Sequence, residues 1–139
     1  MKIFYILLSI SVLTFSCKKE DPVQKLVNDS FDVIKDQAVN MALYLSDKEG
    51  SLPKSWIEEK DEIITSSSKW WCSGFFPGVL WYLYEYTGEN SYRELAEKFT
   101  ARVEDQKYNS QNHDIGFQIN CSFGNGYRLT LRPEYNEVM

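Results

Sequence analysis

The stretch Phe75–Tyr86, FFPGVLWYLYEY, decides the fold because it is apolar on almost every face of a helix. A helix of that composition is stable only where other protein surrounds it. Pro77 suits the first turn of such a helix, and Gly88 suits the left-handed residue that follows its last turn. The stretch therefore predicts a buried inner helix enclosed by other helices.

A helix with one apolar face follows directly. Ser91 and Glu94 have the spacing of a capping box, which predicts that this helix starts at Ser91. Its apolar residues recur at three- and four-residue steps with charged residues between them: Tyr92, Leu95, Ala96, Phe99 and Val103. Such a helix packs at the outside of a core, so the two stretches predict an inner helix paired with an outer one.

The inner–outer pair begins again 43 residues later. Four pairs of similar residues coincide under this shift: Thr87 and Thr130, Tyr92 and Tyr135, Glu94 and Glu137, Leu95 and Val138. A second inner helix is predicted from Ile115 to about Phe123, and a second outer helix from near Pro133. Repeats of this size are typical of helical-hairpin arrays and toroids.

One position departs from the repeat. Gly88 corresponds to Leu131, and Leu in a left-handed conformation costs roughly 1–2 kcal/mol. The second turn is therefore expected to be strained or built differently.

Upstream of the repeat, Val23–Ser46 carries one amphipathic stripe and predicts a helix. The segment Lys48–Pro53 contains a Gly and a Pro that break it. Ser55–Ser68 is polar and poorly periodic, which predicts a connecting loop with a turn or two of helix. The body of the chain, residues 23–139, is therefore expected to be all-α and too short for a barrel of such hairpins to close.

The first residues read as an export signal. Met1-Lys2 is positive, and the apolar run Ile3–Phe15 is shorter than the roughly 20 residues that span a membrane. Leu13–Cys17 resembles a loose lipobox, which predicts a signal peptide over residues 1–17 and a lipid-modified Cys17. The alternative is a plain signal peptide with an incidental cysteine. Residues 18–22 form a polar tether, and KKED at its start resembles the export tag of surface lipoproteins, which predicts an outer-membrane lipoprotein on the periplasmic face or the cell surface.

Composition excludes one class of partner. The formal net charge of −5 provides no basic surface, so binding to nucleic acid is not expected. Aromatic residues make up 15% of the chain, enough to fill a large core or to line a cleft that stacks sugars. Cys72 and Cys121 form an even pair in a disulfide-permissive compartment, with buried free thiols as the favoured alternative.

Three motifs occur in order: WWCSGFFPG at Trp70–Gly78, YEYTG at Tyr84–Gly88, and NHDIGF at Asn112–Phe117. Together they resemble glycoside hydrolase family 88, the unsaturated glucuronyl hydrolases, over about residues 23–139. The resemblance implies an (α/α)6 barrel, of which this chain would be the incomplete N-terminal part. The pair SGFFPG and HDIGF fits this family better than the related unsaturated rhamnogalacturonyl hydrolases.

The resemblance also implies an activity. Members of the family remove 4,5-unsaturated uronic acid from the non-reducing end of lyase-generated oligosaccharides of the glycosaminoglycan type. A carboxylic acid protonates C4 of the vinyl ether, water adds at C5, and the hemiketal opens to release the sugar. Neither a metal nor an organic cofactor is implied.

By the same resemblance Asp114 matches an active-site aspartate, and His113 and Trp71 match cleft residues that contact substrate. Trp71 and Asp114 are 43 residues apart, so in a toroid they would converge at one end of the central cavity. One of the pair Phe75 and Phe76 must face that cavity, and Phe75 is taken as the substrate-binding candidate.

The position of Asp114 bears on its charge. A carboxylate before a helix is favoured as an anion by roughly 0.3–1 kcal/mol, so we expect an ionised Asp114 that orients water or substrate. The family's acid/base aspartate would lie beyond Met139. The structural alternatives are a helix N-cap for Asp114, a solvated loop residue for His113, a core residue for Trp70, and close helix packing for Gly74, Gly78 and Gly116.

Two functions of different classes follow. The first is hydrolysis of unsaturated uronyl oligosaccharides by an intact protein of which this chain is a fragment, expected to be inactive and poorly soluble alone. The second is a surface lipoprotein that binds acidic oligosaccharides without turning them over.

Overall fold

The computed structural model describes residues 21–139, and the predictions for residues 1–17 and for most of the tether lie outside them. The first helix, α1, covers Pro22–Tyr44, close to the predicted range. It begins at Asp21, whose carboxylate accepts a hydrogen bond of 2.9 Å from the Val23 amide. Among the described helices, none has both the length and the apolar character needed to cross a membrane.

A β-hairpin follows α1, where a loop with some helix was predicted. Strands β1 (Leu52–Ile57) and β2 (Glu62–Ser66) pair antiparallel, joined by a 3₁₀ turn at Glu58–Lys60. The prediction for Ser55–Ser68 is wrong because the β-branched run in β2 favours an extended strand despite its polar neighbours. The fully buried side chain of Leu52 ties the hairpin to the core.

Arg102 stabilises the segment that connects α1 to the β1–β2 hairpin. Its guanidinium donates hydrogen bonds to the backbone carbonyls of Leu45, Lys48 and Ser51 at 3.1, 3.1 and 2.5 Å. Burial lowers the pKa of Arg102, and the charge of Glu49 opposes that shift. The arginine therefore cross-links the backbone of the segment between α1 and β1, whose own turns are closed by backbone amide hydrogen bonds to the carbonyls of Leu45 and Lys48.

The predicted inner–outer pair is confirmed in α2 (Phe75–Thr87) and α3 (Asn90–Ala101). At their interface the buried indole of Trp81 donates a hydrogen bond of 2.9 Å to the hydroxyl of Thr100. The opposite side of α2 is less enclosed than predicted, since Val79 and Tyr82 are exposed within the part of the chain that the structure describes.

The capping box is wrong. Helix α3 starts one residue earlier than predicted, with Glu89 before it, and no side chain caps it among the described residues. The hydroxyl of Thr87 instead accepts a hydrogen bond of 3.1 Å from the Glu89 amide. The turn after α2 is thus closed by Thr87, which leaves Ser91 inside the helix.

The second inner helix runs further than predicted, from Ile115 to Thr130. It consists of α4 (Ile115–Ile119), a π-helical turn at Asn120–Gly124, and α5 (Asn125–Thr130), with right-handed backbone at both junctions. We call it the 115–130 helix. Its outer partner α6 covers Pro133–Asn136, where a helix was predicted.

The 115–130 helix packs tightly against α2 and α6. A Cβ atom on Gly126 would lie 2.8 Å from the ring of Tyr135 and 3.0 Å from that of Trp81. Arg128 of α5 donates two hydrogen bonds, of 2.6 and 2.7 Å, to the carboxylate of Glu85 on α2. That pairing lowers the pKa of Glu85.

The 43-residue repeat is reproduced in the two interhelical turns. Gly88 and Leu131 are both left-handed, with φ of 72° and 56°, and each amide donates to the carbonyl four residues earlier at 2.8 Å. Thr87 and Thr130 each donate a hydroxyl to the carbonyl four residues earlier, at 2.8 and 2.6 Å. The second turn is therefore built like the first, and Leu131 carries the strain.

We predict that Leu131→Gly raises the free energy of unfolding by about 1 kcal/mol. Glycine removes the cost of the left-handed conformation, but part of that gain is lost because glycine gives the unfolded chain more conformational freedom. Leu131 is 72% exposed, so little apolar contact is lost. The matched control, Gly88→Ala, should lower it by about 1 kcal/mol, because no atom lies within 4 Å of the added Cβ and the cost is that of the backbone. Urea unfolding measures both, and equal shifts of the same sign would contradict the prediction.

Candidate functional site

A tight turn before α2 carries the first candidate residue. We call residues 67–74 the Trp71 turn. Within it the Trp70 amide donates to the Ser67 carbonyl at 3.2 Å, and the Ser73 amide donates to the Trp70 carbonyl at 2.8 Å. These bonds hold Trp71 at the rim of the fold, where its side chain is 40% exposed. Trp70, predicted as core, is only half-buried, with the ammonium of Lys54 4.2 Å from its ring centroid.

Three rings from both halves of the repeat meet beside this turn. Trp71, Phe75 and Phe117 form what we call the aromatic cluster, with centroids 5.6, 6.3 and 6.1 Å apart and edge-to-face geometry. All three rings are exposed. Such a cluster offers apolar ring faces and edges to a ligand while its members support one another.

The cluster resolves the choice between the adjacent phenylalanines. Phe75 lies in the exposed cluster, whereas Phe76 packs edge-on against Phe99 of α3 at 4.9 Å. Phe117 was not among the predicted site residues. Its signal was present, since it ends the NHDIGF motif three residues after Asp114.

Asp114 directly precedes the 115–130 helix, as predicted. Within the described chain its side chain makes no capping hydrogen bond, so the N-cap alternative is not supported. Its amide donates to Asn112 Oδ1 at 2.9 Å, which closes the loop before the helix. The carboxylate is 24% exposed and lies 3.6 Å from Nε2 of His113. His113 itself is 94% exposed, as the solvated-loop alternative expected.

Electrostatics connects Asp114 to the Trp71 turn. Burial raises the pKa of the Cys72 thiol, the negative charge of Asp114 acts in the same direction, and a hydrogen bond with Trp70 opposes both. Burial also raises the pKa of Cys121. Both cysteines are free, so the disulfide alternative is wrong and both thiols stay protonated at neutral pH. Asp114 and Trp71 therefore lie at the same end of the two inner helices, and the charge of Asp114 reaches Cys72.

Glycine allows the two halves to approach. A Cβ atom on Gly74 would lie 2.2 Å from the Gln118 carbonyl oxygen and 2.6 Å from that of Phe117. On Gly78 it would lie 2.9 Å from the Cys121 carbonyl oxygen. The predicted packing role of these two glycines is confirmed. That of Gly116 is wrong, since its nearest neighbour would be 3.8 Å away.

No family model matches the chain. Two curated proteins named unsaturated glucuronyl hydrolase are similar in sequence. That of Formosa agariphila is 40% identical over 85 residues, which is 61% of this chain and 21% of the relative. That of Bacillus sp. GL1 is 44% identical over 55 residues, 37% of this chain and 15% of the relative. The chain therefore spans about a fifth or less of the curated relatives it matches.

Solved structures agree. An unsaturated glucuronyl hydrolase specific for heparin superposes with a TM-score of 0.67 and 30% identity over 80% of this chain and 30% of its own. The Bacillus sp. GL1 enzyme superposes with a TM-score of 0.63 and 24% identity, over 78% and 29% of the two chains. These structures are α/α barrels, so the prediction of a helical chain that forms part of such a barrel is confirmed. The resemblance to this family is thus supported by sequence and structure.

We predict that Gly74→Ala lowers the free energy of unfolding by about 2 kcal/mol or more, because two backbone carbonyls must move apart to admit the methyl group. The matched control is Gly116→Ala, whose added Cβ meets nothing closer than 3.8 Å. It should be neutral or stabilising by up to about 1 kcal/mol, since Ala favours a helix. Thermal unfolding of both variants tests the contact, and a neutral Gly74→Ala would refute it.

Proposed function

We propose that the protein containing this chain hydrolyses unsaturated glucuronyl oligosaccharides of the glycosaminoglycan type. The supporting observation is the convergence of the aromatic cluster and the Asp114 carboxylate at one end of two repeated inner helices. Proteins similar to this chain bear the name of that activity, and a related enzyme from Streptococcus agalactiae was solved with dGlcA-GalNAc6S bound.

The proposed division of labour follows from exposure and charge. Trp71 and Phe75 present exposed rings on which the apolar face of a sugar can stack. His113 is exposed beside Asp114 and can donate a hydrogen bond to a sugar hydroxyl or carboxylate. The carboxylate of Asp114 is uncommitted to helix capping, so it can accept hydrogen bonds from water or substrate.

In the proposed reaction Asp114 acts as an anion that orients the water adding at C5. The proton for C4 would come from a second carboxylic acid outside residues 21–139. The reaction consumes the C=C bond of the uronic acid, so its ultraviolet absorbance disappears.

The second candidate is a lipoprotein that binds acidic oligosaccharides without hydrolysis. It is favoured because Asp114 is the one carboxylate of residues 21–139 that is proposed for the reaction, and no proton donor for C4 is identified among them. The two candidates differ in one measurement. Hydrolysis removes the C=C absorbance of an unsaturated disaccharide, whereas binding alone leaves the absorbance unchanged and shows saturable heat in titration calorimetry.

We expect Asp114→Asn to lower kcat by about hundredfold or more with little change in KM, since a neutral amide cannot hold the attacking water as the carboxylate does. The substrate is an unsaturated glucuronyl disaccharide, followed by its absorbance. Asp29→Asn is the matched control, because Asp29 is an exposed carboxylate of α1 that pairs with Lys25. Retained activity in Asp114→Asn would remove Asp114 from the mechanism.

We expect Trp71→Ala to raise KM about tenfold, equivalent to about 1.4 kcal/mol of lost ring contact, and to change kcat less. The matched control is Trp56→Ala, which removes another exposed tryptophan, on β1. Equal effects of the two substitutions would show that the rings act through stability and not through substrate.

We also propose that the protein is exported and anchored to the outer membrane through Cys17, on the sequence pattern alone. Cys17→Ser should abolish palmitate incorporation in a Gram-negative host and release the protein from the membrane fraction, because the lipid supplies the attachment. Cys72→Ser is the control and should keep the label. Palmitate on the Cys17→Ser protein would contradict the proposal.

A further inference from the structure

Gln118 is a fully buried polar side chain in the 115–130 helix. Its Nε2 atom donates to the backbone carbonyls of Ser68 and Trp70 at 2.7 and 3.0 Å, and lies 3.2 Å from the hydroxyl of Ser73. All three partners belong to the Trp71 turn. A single amide therefore ties this turn to the helix that carries Asp114 and Phe117.

The orientation of that amide is determined by its partners. Rotating it by half a turn would place Oε1 against two carbonyl oxygens, which would repel it. In the observed orientation Oε1 accepts no hydrogen bond from the described residues. The hydrogen bonds donated by Nε2 alone therefore fix the orientation of the amide. A buried acceptor without a donor costs about 1–3 kcal/mol, so the amide is not the most stable filling of this space.

The contact of Gln118 with the Trp71 turn links the candidate site residues on the two inner helices. Trp71 lies directly after Trp70, whose carbonyl Gln118 binds, and its ring contacts Phe75 and Phe117. The close backbone approach at Gly74 brings the turn to the helix. There Gln118 donates to the carbonyl of Ser68 and adds a second hydrogen bond to the carbonyl of Trp70, which already accepts one from the Ser73 amide. These two hydrogen bonds fix the turn against the helix and so set the direction in which it presents Trp71.

We propose that Gln118 is a positioning residue, which holds Trp71 and the aromatic cluster in register with Asp114 so that one sugar ring can contact both. This inference rests on the proposed function for its substrate. Gln118 acts through Trp71 and touches no substrate itself. A side chain of the same length without the amide would keep the packing and release the turn.

A first test follows the tryptophans directly, without activity. The full chain labelled with 5-fluorotryptophan has four fluorine signals, which single Trp→Phe variants assign. In Gln118→Met the signals of Trp70 and Trp71 should shift or broaden while that of Trp81 stays unchanged.

The matched control is Thr100→Val, which removes a different buried hydrogen bond, the one accepted from Trp81. It should move the Trp81 signal and leave that of Trp71 in place. An unchanged Trp71 signal in Gln118→Met would overturn the proposal. If that variant does not fold, Gln118→Asn retains the amide but withdraws it by one methylene, and an unchanged Trp71 signal there overturns it equally.

A second test uses kinetics with dGlcA-GalNAc6S. Gln118→Met should raise KM about tenfold at a temperature where it is folded, whereas Thr100→Val should stay within about twofold of the parent. In a Trp71→Ala background Gln118→Met should add nothing, because both changes remove the same contact. Additive effects would overturn the proposal. These kinetics need the intact protein that contains this chain. If that parent protein had no activity, the proposed function would be wrong, and the fluorine signals would still decide the role of Gln118.

Discussion

Direct backbone contact between the two inner helices is the constraint on which the rest of the structure depends. At Gly74 the Trp71 turn lies so close to the carbonyls of residues 117 and 118 that a side chain of any kind would collide. Because the helices are in contact there, rings from both repeats meet and the amide of Gln118 reaches the turn. The candidate site is therefore a product of helix packing, and each half of the repeat alone would carry only part of it.

The two units of the repeat keep the same backbone geometry at a position where their sequences differ. Gly88 is replaced by Leu131 one unit later, yet the backbone conformation and the threonine hydrogen bonds are the same. The hydrogen bonds of the turn are therefore kept although the leucine is left-handed. The strain lies at an exposed interhelical turn, away from the residues proposed to meet substrate.

Much of the fold was predictable because long apolar periods, a proline in a first turn and a glycine after a last turn each have one main physical meaning. The hairpin at residues 52–66 was missed because short, partly polar strands carry a weak periodic signal. Asp114, Trp71 and Phe75 were predicted as site residues from motifs and the repeat, and their roles remain predictions. Phe117 was missed although it ends the NHDIGF motif. Gln118 was missed because its role arises from an approach of helices that no local pattern encodes, and in isolation it looks like an ordinary surface residue.

The ion pair between Glu85 and Arg128 has a consequence for assembly. These residues occupy equivalent positions in neighbouring repeats but carry opposite charges. If an inner–outer helix pair packed against a copy of itself, two like charges would face each other at this position. The ion pair therefore favours packing of one helix pair against the other over packing against a copy of itself. The pair is solvent-exposed and contributes little to stability, but it gives the order of the hairpins a direction that near-identical units would otherwise lack.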